Sequence, residues 1–170
     1  MNYSILYSSA TGNTALLAQQ LKEHLPSQNC DHFGTVKDAP VPPSPLVFVG
    51  FWTDKGTCDE QALTFLKKLH GKQIALFGTA GFGKAPSYFE QILDRIKQEI
   101  PADNQVLDCF MCQGKMPAPV RKRYEQMLQE DPSNARAQML LENFDQALPH
   151  PDLEDLRALF QWAQHFQLEE

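Results

Sequence analysis

Ile5-Leu6-Tyr7-Ser8-Ser9-Ala10-Thr11-Gly12-Asn13-Thr14 is the stretch that decides the fold. Its apolar beginning, within residues 2–7, predicts a short β-strand, and helix-spaced apolar residues predict a helix from about 14 to 25. A loop of Ser, Thr, Gly and Asn joins the two. The chain therefore starts with a strand, a loop and a helix, and the loop lies where the strand ends and the helix begins.

The first loop, residues 8–14, is predicted to bind a phosphate group. The free N–H groups and the positive dipole end of the helix attract an anion there. Gly12 allows the backbone to approach closely, and the Asn13 amide can donate a hydrogen bond, as can the Ser and Thr hydroxyls. The loop contains no lysine, so the predicted cage is neutral and suits a terminal phosphate monoester. The predicted contacts are Ser8, Ser9, Ala10, Thr11, Gly12, Asn13 and Thr14.

Three other classes of protein with a functional loop after a strand do not fit this stretch. A nucleotide-hydrolase loop needs a second glycine followed by a lysine, and both are missing. A dinucleotide fingerprint needs G-x-G-x-x-G here, whereas Gly78, Gly81 and Gly83 follow a later strand with another spacing. A phosphorylated receiver domain needs an acidic pair where Ser8 and Ser9 stand. Taken alone, the loop is also compatible with a plain helix cap.

Strands and helices alternate along the chain as far as residue 113. The segment 46–51 is continuously apolar, as a parallel strand covered on both faces is, and 73–77 is predicted to be another buried strand. Asp59 suits a helix cap and Pro86 suits the first turn of a helix. The alternation predicts an α/β fold, namely a doubly wound parallel sheet of five strands with helices on both faces. The predicted strands are 2–7, 31–36, 46–51, 73–77 and 106–111.

Beyond residue 113 the pattern predicts helices only, at about 119–129, at 132–147 and from 152 onward. The last of these has the apolar spacing of an outer helix of a doubly wound sheet. The segment 114–148 is therefore interpreted as a helical insertion before the last helix, within a single domain of residues 1–170.

Two further loops are predicted to lie beside the first, because ligands of open parallel sheets bind beyond the carboxyl ends of the strands. Trp52 directly follows a buried strand, where its ring can cover a flat aromatic ligand, although a place in the core is the competing interpretation. Backbone groups of the third loop, residues 78–83, can bind the polar edge of such a ligand. The predicted contacts are Phe51, Trp52, Thr53, Asp54 and Gly56 in the second loop and Gly78, Thr79, Ala80, Gly81, Phe82 and Gly83 in the third.

Together these loops resemble the flavodoxin family. Residues 9–14 are similar to its phosphate loop, residues 75–83 to its third flavin loop, and residues 150–156 to the start of its last helix. The resemblance covers about 2–112 and 150–168. It implies non-covalent FMN and a protein that passes electrons from a reductase to a partner enzyme. Within the family, the chain resembles a bacterial subgroup of which some members are linked to tetrapyrrole or bilin reduction.

Two residues near the expected flavin ring carry separate hypotheses. Gly56 can change its peptide orientation at low steric cost and present a carbonyl to a half-reduced flavin. Small members of the family commonly stack a tyrosine on the flavin where this chain has Ala80, so one face of the ring is expected to be open. Two alternatives to an electron carrier follow: a reductase acting directly on a planar substrate, and an interaction module that has lost the cofactor.

The composition excludes some functions and favours others. The formal net charge of −6 argues against sequence-independent nucleic-acid binding and favours a basic partner protein. The longest apolar run, 46–52, is far shorter than the roughly 20 residues of a membrane span, and no secretion signal begins the chain. We therefore expect a cytoplasmic protein without a membrane contact. Cys109 and Cys112 are expected in the core, and no metal site is predicted since the histidines are scattered.

Overall fold

The computed structural model describes residues 1–83 and 85–168. Most predicted elements are present with bounds shifted by one to three residues. A short 3₁₀ turn, Ser27–Asn29, precedes the second strand. The strands are β1 (Tyr3–Tyr7), β2 (Cys30–Thr35), β3 (Leu46–Asp54), β4 (Thr57–Cys58), β5 (Gln73–Ala80) and β6 (Gln105–Gln113). The helices are α1 (Asn13–His24), α2 (Glu60–Leu66), α3 (Pro86–Glu99), α4 (Ala118–Glu130), α5 (Ala135–Ala147) and α6 (Leu153–Ala163).

Five strands form a parallel sheet in the order β2-β1-β3-β5-β6, and the short β4 pairs antiparallel with β3. The predicted five-stranded parallel α/β sheet is confirmed. Because β2 and β3 lie on opposite sides of β1, the direction of the strand order reverses at β1. Open sheets leave a crevice beyond the carboxyl ends of the strands at such a reversal.

The two faces of the sheet bury separate clusters, as the alternation of side chains along a strand requires. On one face, Val47 and Val49 of β3 belong to the cluster that also holds Ile92 of α3. On the other face, Phe48 belongs to the cluster with Leu17 of α1 and with residues of α6. Helices α2 and α3 therefore cover one face of the sheet, and α1 and α6 cover the other. Because these helices pack on the faces, the edge formed by the carboxyl ends of the strands is left open.

Two predicted strand ends are wrong. We expected a strand to end at Phe51, but β3 continues to Asp54 and returns through a tight turn into β4. We expected a loop at 78–83, but β5 continues to Ala80 because its ladder with β3 and β6 stays paired. Glycine is depleted in strands, and here cross-strand pairing overrides that preference.

Helices α4 and α5 form an antiparallel pair between β6 and α6. No residue of α4 is fully buried, whereas α5 buries Ala137, Asn143, Phe144 and Ala147. Arg121 of α4 pairs with Asp145 of α5 at 3.2 Å. Helix α5 is thus the more deeply buried member of this pair. None of the helices within residues 1–83 and 85–168 combines the length and apolar character that a membrane crossing requires.

Candidate cofactor-binding site

A cavity of about 560 Å³ opens at the carboxyl ends of the strands, within the range of about 300–1,000 Å³ that is usual for small-molecule sites. It reaches from the amino end of α1 past the β3–β4 turn to α4. The lining residues are Ala10, Thr11, Asn13, Trp52, Thr53, Asp54, Lys55, Gly56, Thr79, Ala80, Gly81, Phe82, Tyr88, Gly114, Lys115, Met116, Pro117, Val120, Arg123 and Tyr124. The structure therefore brings residues of all three predicted loops into one cavity.

The amino end of α1 forms one end of the cavity. Gly12 has a φ of 88°, which glycine adopts without strain. Within the described part of the chain, the backbone N–H groups of Gly12, Asn13 and Thr14 have no acceptor. N–H groups without an acceptor at a helix start, together with the helix dipole, are the arrangement that binds phosphate.

Two polar side chains of the first loop point into the protein. The Thr14 hydroxyl, which is fully buried, donates to the Phe51 carbonyl at 2.9 Å and lies 3.1 Å from the Thr79 hydroxyl. The Asn13 amide donates to the Lys115 carbonyl at 2.8 Å. These bonds join α1 to β3, to β5 and to the segment after β6. Their predicted part in phosphate binding stays a prediction.

Of the two other side chains of the loop, Ser9 keeps a hydrogen that can be donated to an anion, whereas Thr11 donates its hydrogen within the protein. The Ser9 hydroxyl accepts from the Ala15 N–H at 3.2 Å, and its own hydrogen is not used in that bond. The Thr11 hydroxyl makes a long bond of 3.4 Å to the Lys115 carbonyl. Lys115 lines the same cavity, so a cation that the sequence analysis did not include lies next to the predicted neutral cage.

The β3–β4 turn provides the next wall. Trp52 is half-buried and lines the cavity, and its backbone N–H donates to Asp59 Oδ1 at 3.2 Å, which fixes the strand end. The Thr53 hydroxyl is buried without a hydrogen-bond partner among the described residues, a cost that a ligand in the cavity can remove. Gly56 has a φ of 79°, and its carbonyl accepts from Arg95 Nη1 at 2.8 Å. The Gly56 carbonyl, which we expected to be available to a half-reduced flavin, therefore accepts a hydrogen bond from α3 in this structure.

Two side-chain amides donate hydrogen bonds to the backbone of the segment after β5. The Gly81 carbonyl accepts from Asn143 Nδ2 at 3.0 Å and from Gln113 Nε2 at 2.9 Å. A Cβ at Gly81 would lie 2.7 Å from the Met116 side chain, and one at Gly83 would lie 2.9 Å from the Gln113 side chain. The path of this segment is thus set by close contacts with the residues that follow β6 and by α5.

The aromatic residues here differ in exposure. Phe82 is 38% exposed and stands edge-on to Tyr88 of α3, with ring centroids 6.3 Å apart. Burial raises the pKa of Tyr88 above its usual value, so this phenol stays neutral and can donate a hydrogen bond at neutral pH. Ala80 is 4% exposed and places no ring in the cavity.

Seven predicted contacts lie outside the cavity lining. Three of them, Ser9, Gly12 and Thr14, belong to the start of α1 described above, and the other four are Ser8, Phe51, Gly78 and Gly83. Ser8, which is 5% exposed, and the fully buried Phe51 lie beneath the site. Gly78 lies against the Phe51 ring, in a space where a Cβ would collide with the ring. Gly83 lies beside Gln113 at the end of β6. In this structure, their contribution is to shape the strand ends.

None of the predicted contacts lies in the wall made by the segment after β6 and by α4. The rule that directed attention to the loops after β1, β3 and β5 applies equally to the loop after β6, so the signal was available for residues 114–117. For Tyr88 of α3 no local signal existed, because an aromatic residue on an amphipathic helix is most often a core residue. The missed lining residues are Lys55, Tyr88, Gly114, Lys115, Met116, Pro117, Val120, Arg123 and Tyr124.

Two other groups with ligand-like side chains have structural explanations. Cys109 and Cys112 pack on opposite faces of the sheet, which confirms their placement in the core, and burial raises the pKa of the Cys109 thiol to about 11. His150, Asp152 and Asp155 have ligand atoms within 4.8 Å of one another. Asp152 and Asp155 form the capping box of α6, and Asp155 also accepts from His150 Nδ1 at 2.7 Å, so these atoms already serve the helix start.

The fold and the site define a flavodoxin. A model of the flavodoxin domain family matches residues 4–164, and the chain belongs to this family. The sheet order is the one for which flavodoxin is a standard example, with FMN at the reversal beside β1. The predicted cofactor, FMN, is thereby confirmed. The uncapped helix start, the half-buried Trp52 and the unpartnered Thr53 hydroxyl are features that fit it.

The relatives support the bacterial subgroup expected from the sequence. The chain is 39% identical to the flavodoxin-like domain-containing protein BilS of Clostridium symbiosum, an alignment that covers 98% of this chain and 94% of the relative. It is 32% identical to BilS of Clostridioides difficile, with 99% and 97% covered. The crystal structure of oxidised flavodoxin 1 from Bacillus cereus shares the fold with a TM-score of 0.61 at 14% identity, covering 98% of this chain and 97% of that one.

Proposed function

We propose that the protein is an electron carrier that uses bound FMN to pass electrons from a reductase to an acceptor enzyme. One observation carries the proposal: a single cavity joins the uncapped start of α1 to the half-buried Trp52. The first end suits a phosphate and the second a flat ring, and FMN has both. When bound, FMN supplies the ability to take up and release one or two electrons.

The residues of the chain bind and orient the cofactor. The N–H groups of Gly12, Asn13 and Thr14 hold the phosphate, and Trp52 covers one side of the ring. The backbone from Thr79 to Gly81 faces the polar edge of the ring. Asp54 and Lys55 beside the site act on its potential in opposite directions.

A coupled assay tests the carrier. NADPH and a ferredoxin–NADP⁺ reductase serve as electron donor, cytochrome c serves as acceptor, and the FMN-loaded protein is added as the link between them. We expect cytochrome c reduction to rise in proportion to the loaded protein, while the apo form adds nothing. A rate independent of the loaded protein, with the FMN still bound, contradicts the carrier.

A second function is favoured by one observation, namely that Val120, Arg123 and Tyr124 of α4 line the cavity near the small Ala80. A planar substrate can be held between α4 and the uncovered side of the ring, and the protein then acts as a reductase without a partner enzyme. Reoxidation of the reduced protein by a planar quinone distinguishes the two functions. A rate that saturates with quinone concentration, with a higher half-saturating concentration in Tyr124→Ala, favours the reductase. A linear dependence on quinone concentration favours the carrier.

A further inference from the structure

The mouth of the cavity is positively charged although the chain carries a formal net charge of −6. Of the charged side chains that line it, Lys55, Lys115 and Arg123 are cations, and Asp54 is the one carboxylate within the described residues. All four are exposed. Three elements supply the cations: the β3–β4 turn, the segment after β6, and α4. We call Lys55, Lys115 and Arg123 the basic rim.

The cations of the basic rim are unpaired within residues 1–83 and 85–168, where no carboxylate forms a salt bridge with any of them. Arg121 lies two residues earlier on α4 and differs from Arg123, because it forms salt bridges with Asp145 and Glu125. Unpaired cations around one opening create a local positive potential that the net charge of the molecule does not reveal.

Apolar groups line the same cavity as the basic rim. Phe82 is 38% exposed, which is unusual for phenylalanine, and Met116, Val120 and Tyr124 beside it are partly exposed. An apolar centre surrounded by charged residues is the composition of a protein–protein interface. This centre lies at the opening that leads to the proposed ring position.

We propose that the redox partner docks on this surface through a patch rich in Asp and Glu, guided by the basic rim. The inference rests on the proposed function, because it makes the opening over the FMN ring the place of electron transfer. The net charge alone favours a basic partner. The local charges lead to the opposite expectation, since short-range complementarity governs orientation and association rate at physiological ionic strength.

The first test does not need the cofactor. A fluorescein-labelled oligoglutamate peptide serves as the probe, an oligolysine peptide of equal length serves as its counterpart, and binding to the full chain is followed by fluorescence anisotropy. We expect oligoglutamate to bind at low salt and to be released as salt rises. Arg123→Gln should weaken binding about threefold or more, whereas Arg121→Gln, with the same change of charge on the same helix, should leave it nearly unchanged. Preferred binding of oligolysine, or equal effects of the two variants, overturns the proposal.

The second test uses the FMN-loaded, reduced protein and two small electron acceptors of opposite charge. Ferricyanide is an anion and hexaammineruthenium(III) is a cation. We expect the rate with ferricyanide to fall as ionic strength rises, and to fall less in Arg123→Gln. A rate that rises with ionic strength shows that the net charge governs the approach, which overturns the docking surface but leaves the carrier intact. If the chain binds no FMN, the proposed function fails and the peptide experiment still decides the docking surface.

A small acid is the competing occupant. Naphthalene-2,6-dicarboxylate, a planar dianion, distinguishes it from an acidic protein surface. Displacement of oligoglutamate by the dicarboxylate only at the concentrations of simple salts supports the docking surface. Tight binding of the dicarboxylate without binding of oligoglutamate overturns it and makes the basic rim the entrance of a small-molecule site.

Discussion

The side-chain amide of Asn143 donates a hydrogen bond to the Gly81 carbonyl at 3.0 Å and so joins α5 to the segment that follows β5. Asn143 is only 6% exposed. Because a buried amide that loses its acceptor is costly, the bond restricts where the Gly81 backbone can lie. The helical insertion therefore supports the ring end of the proposed FMN site in addition to lining it.

Removal of this bond should weaken cofactor binding. We expect Asn143→Ala to raise the Kd for FMN about tenfold, because the loss of one hydrogen bond leaves the Gly81 backbone less ordered. Titration of the apo form with FMN measures the Kd. Asn134→Ala is the matched control. Asn134 caps α5 by accepting from the Ala137 N–H at 3.0 Å, at the start of the helix and not at Gly81. Its loss should cost about 1 kcal/mol of stability and leave the Kd within about twofold. Equal effects on Kd contradict the account.

Trp52 should contribute to binding of the flavin ring and not to binding of the phosphate. Trp52→Ala is expected to weaken FMN and riboflavin by the same factor, about three- to tenfold, since both ligands carry the ring. Trp162→Phe is the control, because Trp162 is 7% exposed and packs in the core cluster with Phe48. It should change the unfolding free energy and leave both affinities unchanged. A loss for FMN alone in Trp52→Ala is the contrary result.

Gly78 should be needed for packing and not for ligand contact. A Cβ at Gly78 collides with the buried Phe51 ring, so Gly78→Ala is expected to lower the free energy of unfolding by about 1–3 kcal/mol. Gly34→Ala on β2, where a Cβ comes no closer than 3.5 Å to His32, should change it by less than about 0.5 kcal/mol. Urea unfolding monitored by circular dichroism measures both. Similar values for the two variants show that the sheet adjusts freely at Gly78.

The buried thiol of Cys58 should make the protein less stable at high pH. Burial raises the pKa of Cys58 from 9.0 to about 11, because the thiolate is poorly solvated there. Between these values the unfolded chain releases the proton while the folded chain keeps it, so stability falls as pH rises from 9 to 11. The size is of the order of 2 kcal/mol. Cys58→Ala should show a smaller decline in the unfolding free energy over this range, and an identical decline removes Cys58 as its cause.

The structural features that could be predicted from the sequence are those that local patterns determine. The continuous apolar run at 46–51 and the Ser/Thr/Gly loop before α1 predict the central strand and the anion site, because each needs only its own neighbours in the chain. Asn143 shows the limit. A polar residue within a helix is ordinarily exposed, and its burial against Gly81 arises only when α5 packs on the sheet.

The strand ends illustrate the same limit. The glycines at 78, 81 and 83 predict a loop, yet Thr79 and Ala80 among them pair with Cys112 and Gln113 of β6, a strand more than thirty residues away. The inward direction of the Thr14 hydroxyl likewise depends on the Phe51 carbonyl of β3. Long-range pairing of this kind leaves no trace in the local sequence.

The most direct test of the account compares two ligands that differ only in the phosphate. The apo protein is titrated with FMN and with riboflavin, and binding is followed by the quenching of flavin fluorescence. We expect FMN to bind about 100-fold more tightly or better, because the N–H groups at the start of α1 bind its phosphate. Equal affinities for FMN and riboflavin would contradict it.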